Sequence, residues 1–240
     1  MPVAIITGAS KGLGGALSVA LARRGWDLVL DARTGPVLEE AARRLDGYGT
    51  KVVALAGDVT DARHRAELVA AAWDLGGLDL LVNNASALGA EPLVPLEELE
   101  LAGLRAALET NVVAALGLVQ EALPLLRRAP SGAVVAVSSD AAVEAYGTWG
   151  GYGASKAALD QVAAVLAVEE PGLRVWAVDP GDLRTDLYAA AVPGDDSGRP
   201  EPSTVVPGFL RLLDERLPSG RYSAPSLVGG LVATGEEAAR

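Results

Sequence analysis

Tyr152 and Lys156 stand four residues apart in Tyr-Gly-Ala-Ser-Lys, at the start of an apolar stretch with helical character. Residues four apart on a helix share a face, so the lysine ammonium can lie close to the phenol oxygen. A free phenol titrates near pH ~10, too high for a base at neutral pH, and a nearby cation favours the phenolate. Lowering that value by about three units needs roughly 4 kcal/mol, and one ion pair at about 4 Å supplies that order at intermediate dielectric. The pair is a candidate acid/base switch. Taken alone, it could equally be two surface residues on an amphipathic helix.

Other segments carry chemistry in a fixed order. Thr7-Gly8-Ala9-Ser10-Lys11-Gly12-Leu13-Gly14 opens the chain, with an apolar run before it and a helical pattern after it. Glycines there permit a tight turn and let backbone approach a pyrophosphate, and the helix N-terminus offers free N–H groups to the anion. The same glycines could mark any tight strand-to-helix turn. Asn83-Asn84-Ala85-Ser86 follows an apolar run, Asn111 lies mid-helix, and Ser138-Ser139 ends a Val-rich run thirteen residues before Tyr152. Pro180-Gly181-Asp182-Leu183-Arg184-Thr185 ends another apolar run.

In order and spacing these residues resemble the classical short-chain dehydrogenase/reductase family, over roughly residues 3–190 and weakly beyond. The resemblance implies a catalytic tetrad of Ser139, Tyr152, Lys156 and Asn111. Tyr152 would donate a proton to a carbonyl oxygen, or remove it in the reverse direction. Ser139, with Ser138 as its rival, would hydrogen-bond the same oxygen. Lys156 would lower the tyrosine pKa and bind the nicotinamide ribose, and Asn111 would hold a water between Lys156 and solvent. An asparagine within an apolar helix costs stability unless its amide is satisfied, so a purely structural Asn111 stays open.

The resemblance also implies a dinucleotide site. Gly8, Ser10, Lys11, Gly12, Leu13 and Gly14 would form the phosphate turn. Asp58 and Val59 would read the adenine, although Asp58 could instead cap a helix near Thr60-Asp61. Asn84 and Ala85 would flank a ribose. Pro180, Gly181, Leu183 and Thr185 would hold the nicotinamide end, and Thr185 could alternatively cap the helix after it. Ser86 replaces the family's glycine, which would strain it if that position needs positive φ. NAD-binding members carry an acidic residue where this chain has Ala32, and NADP-binding members an arginine where it has Arg33. With Lys11 as a second cation, NADP(H) is expected over NAD(H). Asp31, one residue early, could repel the phosphate, accept ribose hydroxyls, or simply pair with Arg33.

The elements that must position these residues alternate. Strands are expected at 3–7, 26–31, 51–56, 78–82, 133–138 and 173–178, separated by helices ending near 24, 45, 75, 127 and 169, the long one spanning 97–127. Such alternation implies right-handed crossovers and a parallel sheet, and nearly wholly apolar strands imply helices on both faces. The expectation is an α/β, Rossmann-like doubly wound sheet in one domain over 1–226. Residues 192–203 carry loop chemistry, so 191–204 are expected to form a flap over the site. A helix over 204–217 and a last strand at 221–224 follow, and 227–240 are expected to fray.

Composition bounds the rest. The chain has 240 residues and a net charge of −11, which argues against nucleic acid and anionic membranes as partners. No run approaches a membrane span on this reading. Met1 leads within two residues into a strand, leaving no room for a signal peptide, and a cytoplasmic location is expected. Cysteine is absent, and the one histidine, His64, sits among charged residues and is expected as a solvated helix residue, so no metal site is expected. The substrate is expected to be a small carbonyl or alcohol compound, apolar or aromatic, against walls drawn from Tyr146, Trp149, Leu183 and Tyr188. Surplus apolar surface at Val112, Val113, Leu116, Val119, Leu159, Val162, Val165 and Leu166 points to a homodimer or homotetramer. The competing class is a non-catalytic nucleotide-sensing or scaffold protein on the same fold.

Overall fold

Alternate residues of a strand point to opposite faces, and here both faces are buried. In β1 (Val3–Ile6), Ala4 and Ile6 join a core beneath α1 (Gly12–Arg23), α2 (Gly35–Arg43) and α8 (Val206–Glu215). Val3 and Ile5 join a second core beneath α3 (Ala62–Leu75), α5 (Ala115–Leu126) and α6 (Gly150–Glu169). Burial on both sides is why the strands read as apolar runs without alternation. The structure, a computed structural model, describes residues 1–195 and 197–237.

β1 lies in one sheet with β2 (Asp27–Ala32), β3 (Val52–Ala56), β4 (Leu80–Asn83), β5 (Ala133–Val137), β6 (Arg174–Asp179) and β7 (Gly220–Ser223). The strand order is β3-β2-β1-β4-β5-β6-β7, and every neighbouring pair is parallel. Consecutive strands march outward from β1 in one direction and from β4 in the other. The reversal between β1 and β4 opens a crevice beyond the carboxyl ends of the strands, where an α/β sheet binds its ligands. The glycine turn leaves β1 at that crevice, and Ser139 and Pro180 follow β5 and β6 there.

The long apolar helix differs from a regular α-helix. α4 (Leu101–Leu108) passes through a π turn (Glu109–Ala114) into α5. Such wide turns concentrate at functional sites, and this one contains Asn111. Leu101–Leu126 also corrects the expectation that no run approaches a membrane span, because with a mean hydropathy of 1.3 it is long and apolar enough. One face of it packs Leu118, Val119, Ala122, Leu125 and Leu126 into the second core. The surplus apolar residues divide: Val119, Leu159 and Leu166 are buried, whereas Val113 and Val165 are 52% and 42% exposed.

Beyond β6, α7 (Asp186–Ala191) leads into the segment expected as a flap. It is tied down rather than free-standing. Arg184 N–H donates to the Pro200 carbonyl at 2.9 Å, Arg184 pairs with Glu201, and Arg199 pairs with Asp182 at 3.1 Å and Asp195 at 2.9 Å. The helix expected over 204–217 is a 3₁₀ turn (Pro202–Thr204) followed by α8. The chain from Leu227, expected to fray, continues as part of α9 (Ala224–Glu237), and 238–240 lie outside the described residues.

Candidate active site

The crevice is a cleft of about 540 Å³. Its walls include the catalytic candidates Ser139, Tyr152 and Lys156. They also include every residue expected to hold the dinucleotide, from Gly8 through Arg33, Asp58, Val59, Asn84 and Ala85 to Thr185, except Gly14. Gly14 lies behind the wall: a Cβ there would stand 2.4 Å from the Gly8 carbonyl oxygen and 2.6 Å from the Asn84 amide nitrogen. Gly8 has φ +64°, a left-handed conformation that glycine adopts without strain. The turn is buttressed by β4. Thr7 Oγ1 accepts the Asn84 and Ala85 N–H groups, both at 2.9 Å, and the Asn84 amide donates to the carbonyls of Thr7 at 2.8 Å and Gly8 at 3.2 Å. α1 starts at Gly12, and its N-terminal residues Gly12 and Leu13, whose N–H groups lack intrahelical partners, line the cleft.

Tyr152 and Lys156 come from the first turns of α6 and are almost wholly buried, at 6% and 1% exposure. Lys156 Nζ donates to the Val137 carbonyl at 2.7 Å and lies 5.6 Å from the centre of the Tyr152 ring. Burial pushes the Tyr152 phenol up to about 12, opposed by its hydrogen bond with Ser86 and reinforced by Asp140 and Asp179. Burial likewise brings Lys156 down to about 8. The expected lowering of the phenol is therefore corrected for the protein by itself: desolvation raises it, and the Lys156 ammonium lies over the ring rather than at the oxygen. A phenol in this state is protonated at neutral pH.

Asn111 is buried at 1% exposure behind the cleft wall. Its Oδ1 accepts Ala87 N–H at 2.8 Å and the Ser86 hydroxyl at 3.2 Å. Its Nδ2 donates to the Ala87 carbonyl at 2.9 Å and to Ser155 Oγ at 2.8 Å. These four bonds use the full capacity of the side-chain amide. Through these bonds Asn111 ties the loop after β4 to α6. Ser86 has ordinary negative φ, so the strain considered for it is absent, and its hydroxyl joins Asn111 to the Tyr152 phenol. Ser139 caps the 3₁₀ turn Asp140–Ala142, accepting Ala141 N–H at 3.2 Å and donating to Asp140 Oδ1 at 3.0 Å. Its rival Ser138 also faces the cleft and is 2% exposed. Arg221, which no sequence signal singled out, donates to the Ser139 carbonyl at 2.8 Å and pairs with Asp160 at 3.0 Å.

The outer ends of the cleft divide by charge. Arg33 is exposed at the rim. Lys11 reaches across the opening to pair with Asp186 in the first turn of α7, both side chains largely exposed. Asp58 Oδ1 accepts the Thr60 N–H at 2.9 Å and hydroxyl at 2.8 Å, bonds that hold its carboxyl below its usual range. The cap of α3 is Asp61, not Asp58. Thr185 caps α7, accepting Tyr188 N–H at 3.2 Å, while still lining the cleft. His64 is corrected outright. It is 6% exposed, and its Nε2 lies 2.7 Å from Asp31 Oδ1, which is itself buried. Asp31 therefore does not pair with Arg33.

On the substrate side, Trp149 meets Tyr152 edge-on with ring centres 5.7 Å apart, and Tyr188 is 6.4 Å from Trp149. Leu183, Trp149 and Tyr188 line the cleft as expected. Tyr146 does not. It is 42% exposed and bonds Asp140 at 3.0 Å and Glu144 at 2.7 Å.

Residues 2–195 match the family described as short chain dehydrogenase. A cis-4-hydroxycyclohexanecarboxylate dehydrogenase from Sinomonas cyclohexanicum is 36% identical over 236 residues, 96% of this chain and 87% of the relative. The glycine betaine reductase ATRR of Emericella nidulans is 36% identical over 188 residues, 77% of this chain, but this chain spans only 15% of that protein. Among solved structures, an alcohol dehydrogenase from the archaeon Thermococcus sibiricus, complexed with 5-hydroxy-NADP, superposes with a TM-score of 0.84 at 27% identity, covering 93% of this chain and 95% of its own.

The burial of Lys156 has a measurable consequence. Its value of about 8 in the fold lies below the ordinary 10.5, so between these limits the unfolded chain holds the extra proton and stability rises with pH. Below pH ~8 the penalty, on the order of 3 kcal/mol, is present in full. The stability of Lys156→Met relative to wild type is expected to be greatest at pH 7 and to fall by that order as the pH passes from 8 to 10.5. Chemical denaturation of both proteins across this range checks it. A difference independent of pH would refute the burial of a charged Lys156.

Proposed function

The chain belongs to the short-chain dehydrogenase/reductase family and acts with a nicotinamide cofactor on a CH–OH or carbonyl group; we propose that it prefers NADP(H) and reduces a ketone or aldehyde, or oxidises the alcohol, through Tyr152, Lys156 and Ser139. The observation that carries this reading is the meeting of the glycine turn and all three side chains in one cleft. The residues fit a dinucleotide: the start of α1 would offer N–H groups to a pyrophosphate, Asp58 and Val59 would hold the adenine, and Arg33 would hold a 2′-phosphate. When bound, the nicotinamide ring supplies or accepts the hydride.

The protein's part is the proton and the positioning. Tyr152, held as a phenol by burial, donates its proton to the carbonyl oxygen of the substrate. Ser139 donates a hydrogen bond to the same oxygen as its charge develops. Lys156 would hold a ribose hydroxyl of the cofactor and keeps a positive charge over the Tyr152 ring. Ser155 and Asn111 fix the start of α6 against the loop after β4, so the phenol keeps its place. The wall of Trp149, Leu183 and Tyr188 favours a small substrate with an apolar or aromatic part. The preference for NADP(H) rests on Ala32 in place of a carboxylate and on exposed Arg33, with Lys11 a second cation when it leaves Asp186. The exposed apolar residues of α4–α6, Leu101, Val113, Val165 and Val168, support pairing of these helices with a second copy of the chain.

Three outcomes are expected. Tyr152→Phe lowers kcat/KM by about 10²–10⁴-fold while cofactor affinity stays within about twofold, because only the proton donor is lost. Substantial turnover at all pH values in that variant counts against the assignment. Arg33→Ala raises the KM for NADPH about tenfold or more and leaves that for NADH nearly unchanged, as the loss of a hydrogen bond to a charged group implies. Higher catalytic efficiency of the wild type with NADH overturns the cofactor reading. Sedimentation at micromolar concentration gives a dimer or tetramer, and a monomer alone contradicts the pairing of α4–α6.

A further inference from the structure

The buried pair of Asp31 and His64 has no part in the proton chemistry, yet it lies at the end of the cleft where nucleotides differ. Asp31 is the second-last residue of β2. Leu28, Leu30 and Ala32 point into the first core and Val29 into the second, so Asp31 falls on the α3 side of the sheet. There His64, in the first turn of α3, meets it at 2.7 Å. Three elements build this contact. Gly57, just beyond β3, leaves room for the imidazole: a Cβ there would stand 2.3 Å from His64 Nδ1. The other Asp31 oxygen faces Gly8 N–H at 3.5 Å, and Asp58, near Arg33, is the further charge that acts on it. Asp31 also belongs to the cleft wall beside Ala32 and Arg33.

A carboxylate at the end of the second strand can act on the nucleotide in two ways. It accepts hydrogen bonds from free ribose hydroxyls, and it repels a phosphate on the same ribose. Asp31 has the charge and the place to do both, but His64 occupies one of its oxygens from beneath. We propose that His64 is a specificity-determining residue: by holding Asp31 against α3 it withdraws the carboxylate from the cleft and so favours a pyridine dinucleotide carrying a 2′-phosphate over one with free ribose hydroxyls.

Without His64, the buried carboxylate loses its partner, which carries a steep desolvation cost. The cleft is its way out to water, and there it meets the nucleotide ribose. The inference rests on the proposed cofactor preference only for its sign in the wild type. The dependence of selectivity on His64 stands or falls separately.

The test is the ratio of the dissociation constants for NAD⁺ and NADP⁺, measured on the full chain by calorimetry or tryptophan fluorescence without any substrate. His64→Ala lowers this ratio tenfold or more by tightening NAD⁺, weakening NADP⁺ or both. Adding Asp31→Asn to that variant restores the ratio to within about threefold of wild type, because the released group no longer carries charge. Asp31→Asn alone, which keeps a partner for His64, also leaves the ratio within about threefold, and it provides the test should His64→Ala fail to fold. A folded His64→Ala protein with an unchanged ratio overturns the proposal, as does a tenfold or larger rise of the ratio in Asp31→Asn. A merely structural His64 would weaken both nucleotides alike. A wild-type ratio below one removes the NADP(H) reading without touching the comparison between variants.

Discussion

Thr7 and Asn84 hold together the two strands between which the sheet reverses direction. One threonine hydroxyl takes two backbone N–H groups from the start of the loop after β4, and one amide returns two hydrogen bonds to the carbonyls that begin the glycine turn. The groups are partly or fully buried, so each would be costly to leave unpaired. Their pairing fixes the glycine turn against the β4 loop. That loop in turn carries Ser86 and Ala87 to Asn111, and Asn111 to Ser155 on α6. A continuous set of hydrogen bonds thus runs from the glycine turn to the helix of Tyr152 and Lys156. The side chains named for chemistry are few, and the polar groups that hold them are more numerous.

Burial sets the character of the reacting pair. Desolvation disfavours the charged form of each group, so it raises the phenol and lowers the ammonium. Both shifts favour neutral forms, the opposite of an activated phenolate beside a fixed cation. The spacing of four residues brings the ammonium to the ring face and to the Val137 carbonyl. Burial thus leaves Tyr152 protonated at neutral pH. Ser86, with one proton to give, can turn from Asn111 to the phenol oxygen as that oxygen becomes charged.

The sheet and its crossovers were legible because apolar runs and helical patterns alternate without interruption, and because glycine, serine and proline mark the strand ends that meet at the crevice. The identity of the cleft residues was legible for the same reason, since motifs at strand ends share one edge of a parallel sheet. What spacing could not supply was side-chain direction. His64 reads as solvated among Arg63, Arg65 and Glu67, yet helix geometry turns it inward to Asp31 while Arg63 and Glu67 pair outside. Asn111 and Ser86 were visible as residue types, but their mutual bond depends on a π turn that no local pattern announces. Arg221 reaches Ser139 from β7 across a long sequence separation, so its partner could not be read from its neighbours.

The central claim is that one cleft joins a dinucleotide cradle to a proton donor. A crystal structure of the protein with NADP⁺ tests it most directly. The account predicts the pyrophosphate at the start of α1, the 2′-phosphate within hydrogen-bond distance of Arg33, and the nicotinamide end beside Tyr152 and Lys156. A dinucleotide bound outside this cleft, or with its nicotinamide turned away from Tyr152, would contradict it.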